Sequence, residues 1–131
     1  MEGFVNEDGI IKIPEKLVER YGLVKNKKIL ISDTGKGVDI QIEAPPLKIS
    51  DNFYVVGGMG TSYQWDGMVY LLIGDSGLYL IDCGTSTGFN KILENIKKIG
   101  HQPKNVKKII LTHAHFDHFD GGYLWKQKFG T

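Results

Sequence analysis

Short apolar runs dominate the pattern of hydrophobic and polar positions, and helical spacing interrupts them three times. Phe4-Val5 and Ile10-Ile11-Lys12-Ile13 flank Asp8-Gly9, which predicts two short strands around a turn. Pro14 opens a helix at its first-turn position, where a missing amide proton costs nothing. Leu17, Val18 and Tyr21 give that helix an apolar stripe, and Gly22 ends it. Ile29-Leu30-Ile31 and Val38-Asp39-Ile40-Gln41-Ile42 predict two further strands around Thr34-Gly35-Lys36-Gly37. Ala44-Pro45-Pro46 cannot continue a sheet interior and marks a linker between a unit at 1–45 and a second at 47–131.

In the second unit, Lys48 to Val56 reads as a strand pair or one bent strand, closed by Gly57-Gly58. A glycine-bearing loop from Met59 to Gln64 and a turn at Trp65-Asp66-Gly67 follow. Strands at 68–74 and 77–82 flank Asp75-Ser76-Gly77, a tight-hairpin signal. Both are nearly continuous apolar runs, the pattern of a sheet covered on two faces. Ser86 or Thr87 is placed to cap a helix in which Phe89, Ile92, Leu93, Ile96 and Ile99 recur at helical spacing, with Gly100 as its left-handed stop. Val106 to Leu111 reads as a buried strand, and Tyr123, Leu124, Trp125 and Phe129 suggest a short helix between Gly121 and Gly130.

Composition narrows the class. An apolar content of 41% with 24% charged residues describes an ordinary globular chain, and no apolar run has the length of a bilayer span. Met1 to Asp8 carries neither the basic nor the apolar stretch of a secretion signal. The lone Cys83 rules out an internal disulfide and reads as a small buried residue. These features point to a cytoplasmic protein. A net charge of +1 supplies no global attraction to nucleic acid or an anionic membrane.

The chemistry concentrates in Thr112-His113-Ala114-His115-Phe116-Asp117-His118, where three of the four histidines fall within six residues. The cluster sits where a strand opens into a loop. In extended backbone, His113 and His115 face the same way, and a turn brings Asp117 and His118 to a neighbouring point. Neutral imidazole and carboxylate are the ligands Zn²⁺ and similar ions accept. His101, just past a helix end, reads as a surface residue.

His113-x-His115-x-Asp117-His118 after Ile109-Ile110-Leu111-Thr112 resembles the metal-binding motif of the metallo-β-lactamase superfamily. Met68 to Ile73 and Leu78 to Gly84 resemble that family's opening hairpin and aspartate-bearing loop. The resemblance implies one or two Zn²⁺ ions, with iron or manganese as alternatives. His113 and His115 serve one metal, and Asp117 and His118 the other. Asp117 is also the catalytic residue that orients the hydroxide or takes its proton. Asp82 hydrogen-bonds to the metal loop from the end of its strand. Tyr63 and Trp65 either line a substrate wall or cover the core edge. The implied activity is metal-activated hydrolysis of an ester, thioester, lactam, lactone or phosphodiester in a small-molecule or phosphodiester substrate.

The family's later half supplies a third histidine, a bridging carboxylate and a last histidine, and no histidine follows His118. A truncated chain, ligands from another chain and a weakly binding remnant are the three readings. In each, the chain by itself is expected to turn over little substrate.

Asp8-Gly9-x-Ile11-x-Ile13-Pro14-x-x-Leu17, Tyr21-Gly22-Leu23 and Lys28-Ile29-Leu30-Ile31 resemble the AbrB-type swapped-hairpin domain. That resemblance implies a homodimer interleaved through residues 1–45, and DNA as a partner in many members. Against DNA, those residues hold seven Lys/Arg and eight Asp/Glu, so a basic footprint is missing. The Lys25-Asn26-Lys27-Lys28 cluster reads as a solvated loop. The expected fold class is therefore α+β: a small β-rich swapped-hairpin-like unit, then the first half of an αββα sandwich. The alternative function is a dimeric AbrB-like DNA-binding or regulatory protein with a non-catalytic metal-binding remnant.

Overall fold

The computed structural model describes residues 4–21, 23, 29–33 and 35–131, in two units, Met1–Glu43 and Ala44–Thr131. In the first, β1 (Phe4–Val5) pairs antiparallel with β2 (Ile11–Lys12). Asn6 closes their turn, its Oδ1 accepting the amides of Asp8 (3.1 Å) and Ile10 (2.8 Å), while Gly9 takes the left-handed position at φ 76°. Helix α1 (Glu15–Tyr21) starts after Pro14, whose carbonyl accepts the amides of Leu17 and Val18. Strands β3 (Ile29–Asp33) and β4 (Val38–Ile42) form an antiparallel hairpin. The expected stop at Gly22, the Lys25–Lys28 cluster and Thr34 lie outside the described residues. Among the described residues, no member of the hydrophobic core falls in this unit, and Ile10, Ile11, Ile31 and Val38 are exposed.

The second unit is built on a five-stranded sheet in the order β5 (Leu47–Ser50), β6 (Phe53–Gly57), β7 (Val69–Gly74), β8 (Gly77–Ile81), β9 (Val106–Ile110). Lys48 to Val56 is a strand pair, with a register shift between Lys48 and Ser50. Gly74 pairs with Gly77 across the two-residue loop Asp75-Ser76. Helix α2 (Phe89–Lys98) then carries the chain across the sheet, so that β9 lies parallel to β8.

Burial alternates along β7 and β8. Val69, Leu71, Leu78 and Leu80 are buried, whereas Tyr70, Leu72, Tyr79 and Ile81 stay partly exposed. The expectation of a sheet covered on two faces is thus corrected within this chain. One face packs against Phe89, Ile92, Leu93 and Ile96 of α2 and Trp125 of α4 (Gly122–Phe129), with the Phe89 and Trp125 rings edge-on at 5.5 Å. A single-turn helix α3 (Phe116–Phe119), not foreseen from the sequence, precedes α4.

The cap of α2 also differs from expectation. Its N-cap is Gly88, which makes no side-chain cap, and the Gly88 amide donates instead to Thr85 Oγ1 at 3.2 Å. Gly100, at φ 89°, ends the helix as the sequence predicts. No described helix is long and apolar enough to cross a membrane.

Asn95 stands fully buried in the middle of α2, and its Nδ2 donates to the carbonyls of Val56 (2.9 Å) and Thr61 (2.8 Å). It thereby ties the loop after β6 to the helix. Asn95→Ala removes the donor and strands two buried carbonyls, and is expected to cost about 2–4 kcal/mol. Urea unfolding of the two proteins measures this, and coincident midpoints would show that the bonds do not contribute.

Candidate metal centre

Strand β8 ends at Ile81, paired with Ile110 of β9, and Asp82 extends the ladder by donating its amide to the Ile110 carbonyl at 2.8 Å. Asp82 sits at φ 59°, the one described non-glycine residue with positive φ, in a region Asp tolerates better than most side chains. This turn drives its carboxylate into the protein, where it is 2% exposed. Three donors meet it there. The Thr112 amide reaches Oδ1 at 2.8 Å, and Thr112 Oγ1 and His118 Nδ1 both reach Oδ2 at 2.8 Å. Burial pushes the Asp82 carboxyl up, but the bonds from Thr112 and His118 together outweigh it and hold the group below the ordinary carboxylate value.

These bonds assign the ring tautomers. An ionised carboxylate only accepts, so the Thr112 hydroxyl spends its one proton on Asp82 and must accept from His113 Nδ1 at 2.9 Å. His113 Nε2 is left as a lone pair, 3.1 Å from His115 Nδ1. His118 likewise donates through Nδ1, which leaves its Nε2 as a lone pair facing Asp117 Oδ2 at 3.4 Å. The His113 ring lies 4.6 Å from that of His115 and 4.0 Å from that of His118, centre to centre. One carboxylate thus orients two of the three imidazoles.

The backbone closes around this loop. The Gly67 amide donates to the Asp117 carbonyl (2.9 Å), the Cys83 amide to that of His118 (2.8 Å), and the Gly121 amide to that of Gly84 (2.8 Å). A Cβ at Gly67 would lie 2.6 Å from His118 Nε2, so glycine there makes room for the ring. Cys83 is fully buried, and burial together with the nearby carboxylates of Asp82, Asp120 and Asp66 pushes its thiol up to about 12, an unreactive state.

Beside the loop, an open pocket is lined by Tyr63, Trp65, Thr85, Thr87, Phe116 and Asp120. Asp120 accepts the Ser86 amide at 2.7 Å, and its bonds to Ser86 hold its carboxyl below the ordinary range.

The structure therefore gathers all five site residues named from the sequence: His113, His115, Asp117, His118 and Asp82. The sequence reading missed Thr112 as the link between Asp82 and His113, Gly67 as the seat of His118, and Asp120. The Thr next to the histidine motif was the available signal for the first. Nothing local marks the other two.

A mixed sheet with helices on one face carries a histidine-rich loop where its one parallel strand pair ends. The metallo-β-lactamase superfamily matches residues 63–131, over half of the chain, and the chain belongs to that superfamily. A probable metallo-hydrolase of Methanocaldococcus jannaschii is 40% identical over 67 residues, which make up 51% of this chain and 31% of that one. Among solved structures, the native metallo-β-lactamase of Legionella gormanii aligns with a TM-score of 0.59 at 33% identity, covering 67% of this chain and 31% of that one. A class B3 di-zinc metallo-β-lactamase from an Alaskan soil metagenome aligns at 0.58 with 26% identity, again over 67% and 31%. The chain thus spans about a third of the length of the relatives it matches.

The superfamily uses divalent metal, and the donors fit such an ion in part. Two ligands about 2.0–2.1 Å from one tetrahedral ion stand roughly 3.3 Å apart. The His113–His115 contact of 3.1 Å and the Asp117–His118 contact of 3.4 Å bracket that separation. In the second pair a lone pair faces a carboxylate, an arrangement that a cation between them relieves. Among the described residues no three such donors converge, so the donors come as two pairs rather than as one complete set.

Because Asp82 titrates below its usual value in the folded chain, it contributes stability that is full above about pH 4 and is lost as pH falls through the folded value. The stability gap between wild type and Asp82→Asn is therefore expected to be widest near neutrality and to narrow below about pH 4. Urea midpoints across that range measure it, and a gap that ignores pH would mean that the ionised carboxylate is not the stabilising form.

Proposed function

We propose that residues 47–131 carry the paired-ligand part of a metallo-hydrolase site. In this reading His113 Nε2 and His115 Nδ1 hold one divalent ion, and Asp117 Oδ2 and His118 Nε2 a second. Zn²⁺ is favoured, because imidazole and carboxylate suit it and a di-zinc enzyme is among the structural relatives. The observation that carries the proposal is the pair of ligand-spaced contacts inside one loop, oriented by one buried carboxylate.

A cation so held lowers the pKa of water toward about 7 and polarises a carbonyl or phosphoryl oxygen. The chain's own residues do the rest. In the neutral rings of His113 and His118, the bonds to Thr112 and Asp82 place the proton on Nδ1 and leave Nε2 as the ligand lone pair. Asp117 orients water or takes its proton. Tyr63, Trp65 and Phe116 offer an apolar wall to the body of a small-molecule ester, thioester, lactone, lactam or phosphodiester. Two donors per ion leave positions open for substrate and for further ligands. The buried single thiol agrees with a cytoplasmic place of action.

Zinc content after equilibrium dialysis tests this reading. His113→Ala and His115→Ala are each expected to bind Zn²⁺ at least about tenfold more weakly than wild type, since each removes half of a two-donor pair. Equal zinc in all three proteins would sink the ligand assignment.

For residues 1–45 we propose a homodimerisation role of the AbrB-type swapped-hairpin kind. Support comes from the exposed Ile10, Ile11, Ile31 and Val38 in a unit that contributes nothing to the described core. A unit this small gains a core by sharing one with a second copy. Deleting residues 1–45 is expected to convert a dimer into a monomer on light scattering, and an unchanged dimer would place the interface elsewhere.

A further inference from the structure

Asp66 belongs to neither donor pair, yet it is 7% exposed and accepts four hydrogen bonds. Its Oδ2 takes the Ser62 hydroxyl and the Tyr63 amide (3.1 Å), both in the loop between β6 and β7. Its Oδ1 takes the Thr85 amide (2.7 Å) and the Thr85 hydroxyl (2.6 Å), both in the loop after β8. One carboxylate therefore joins two loops that are far apart in sequence, each through its own oxygen.

Gly88 supplies a separate sign of how closely this group is fitted. Its φ of −76° suits any residue, but a Cβ there would lie 1.9 Å from Asp66 Oδ2. Glycine is needed at this point for space and not for backbone freedom. Two residues held by the clamp, Tyr63 and Thr85, line the pocket, and Trp65 of the same lining precedes Asp66 in the chain. Trp65 and Phe116 are each 61% exposed, so burial in the core does not account for their placement.

We propose that Asp66 is the positioning residue of the substrate wall, locking Tyr63 and Trp65 on one side and Thr85 on the other into one surface beside the histidine loop. Through the adjacent Gly67, whose amide holds the Asp117 carbonyl, the same clamp sets where the wall meets His118. The assignment of this wall to substrate rests on the hydrolase function proposed above, whereas the clamp stands on geometry alone. A carboxylate is required because all four partners donate. Asn offers one oxygen and one amino group, and only the oxygen can still serve a donor pair.

Amide hydrogen exchange on the full chain, read by NMR, tests the clamp. In Asp66→Asn the Asn oxygen is expected to stay with Thr85 and the amino group to face Tyr63. The Tyr63 amide should then exchange at least about tenfold faster, while the Thr85 amide stays within about threefold of wild type. Acrylamide quenching of Trp65 should rise in parallel. Gly88→Ala brings a Cβ within 2.8 Å of both carboxylate oxygens, so it should speed exchange at Tyr63 and Thr85 alike while the core amides of Leu71 and Leu80 keep their wild-type rates.

Unchanged Tyr63 exchange and Trp65 quenching in both variants would overturn the proposal. So would equal acceleration at Tyr63, Thr85 and the core amides of Leu71 and Leu80, since that pattern marks a general loss of fold. Absence of Zn²⁺ binding by the wild-type chain, with the selective pattern present in the Asp66→Asn variant, would refute the hydrolase reading and leave the clamp intact.

Discussion

A buried carboxylate at the end of β8 is the constraint on which the histidine loop depends. An ionised group removed from water is costly unless its lone pairs are filled. Asp82 fills them with one amide, one hydroxyl and one imidazole, all from the segment that follows β9. The parallel pairing of Ile81 with Ile110 brings that segment within reach. The βαβ crossover through α2 is what makes the pairing parallel, so the helix and the site share one topological cause.

Two carboxylates divide the work of holding the loops. Asp82 organises the loop after β9, and Asp66 joins the loops after β6 and β8. Gly67 connects the two systems, lying next to Asp66 in sequence and against the His118 ring in space. Asn95 adds a third tie, from α2 to the start of the same β6–β7 loop. These ties fasten the β6–β7 loop at three points, to the loop after β8, to the histidine loop and to α2.

Features with a local cause were legible in the sequence. The Asp75-Ser76 hairpin, the helical spacing from Phe89 to Ile99 and the Gly100 stop need only near neighbours, and all appear in the structure. The density of histidines at 113–118 singled out the candidate loop for the same reason. What failed was non-local. Trp65-Asp66-Gly67 read as an ordinary turn because Thr85 and His118, the partners that give Asp66 and Gly67 their meaning, lie far along the chain. Ser86 and Thr87 were sound capping candidates by residue type, yet the N-cap falls on Gly88 and no side chain caps the helix. The apolar content of β7 and β8 suggested cover on two faces, but the elements of this chain bury one of them.

The tautomer network also bears on why the donors appear as pairs. Asp82 commits the Nδ1 proton of His118 directly and that of His113 through Thr112, so both outward nitrogens carry lone pairs. In the 113–115 pair, His115 can satisfy its neighbour by turning a ring proton toward it. In the 117–118 pair, both facing atoms are acceptors, and only a positive species between them removes the conflict. The same hydrogen bonds that rigidify the loop thereby make its second pair the place where a cation relieves the most repulsion.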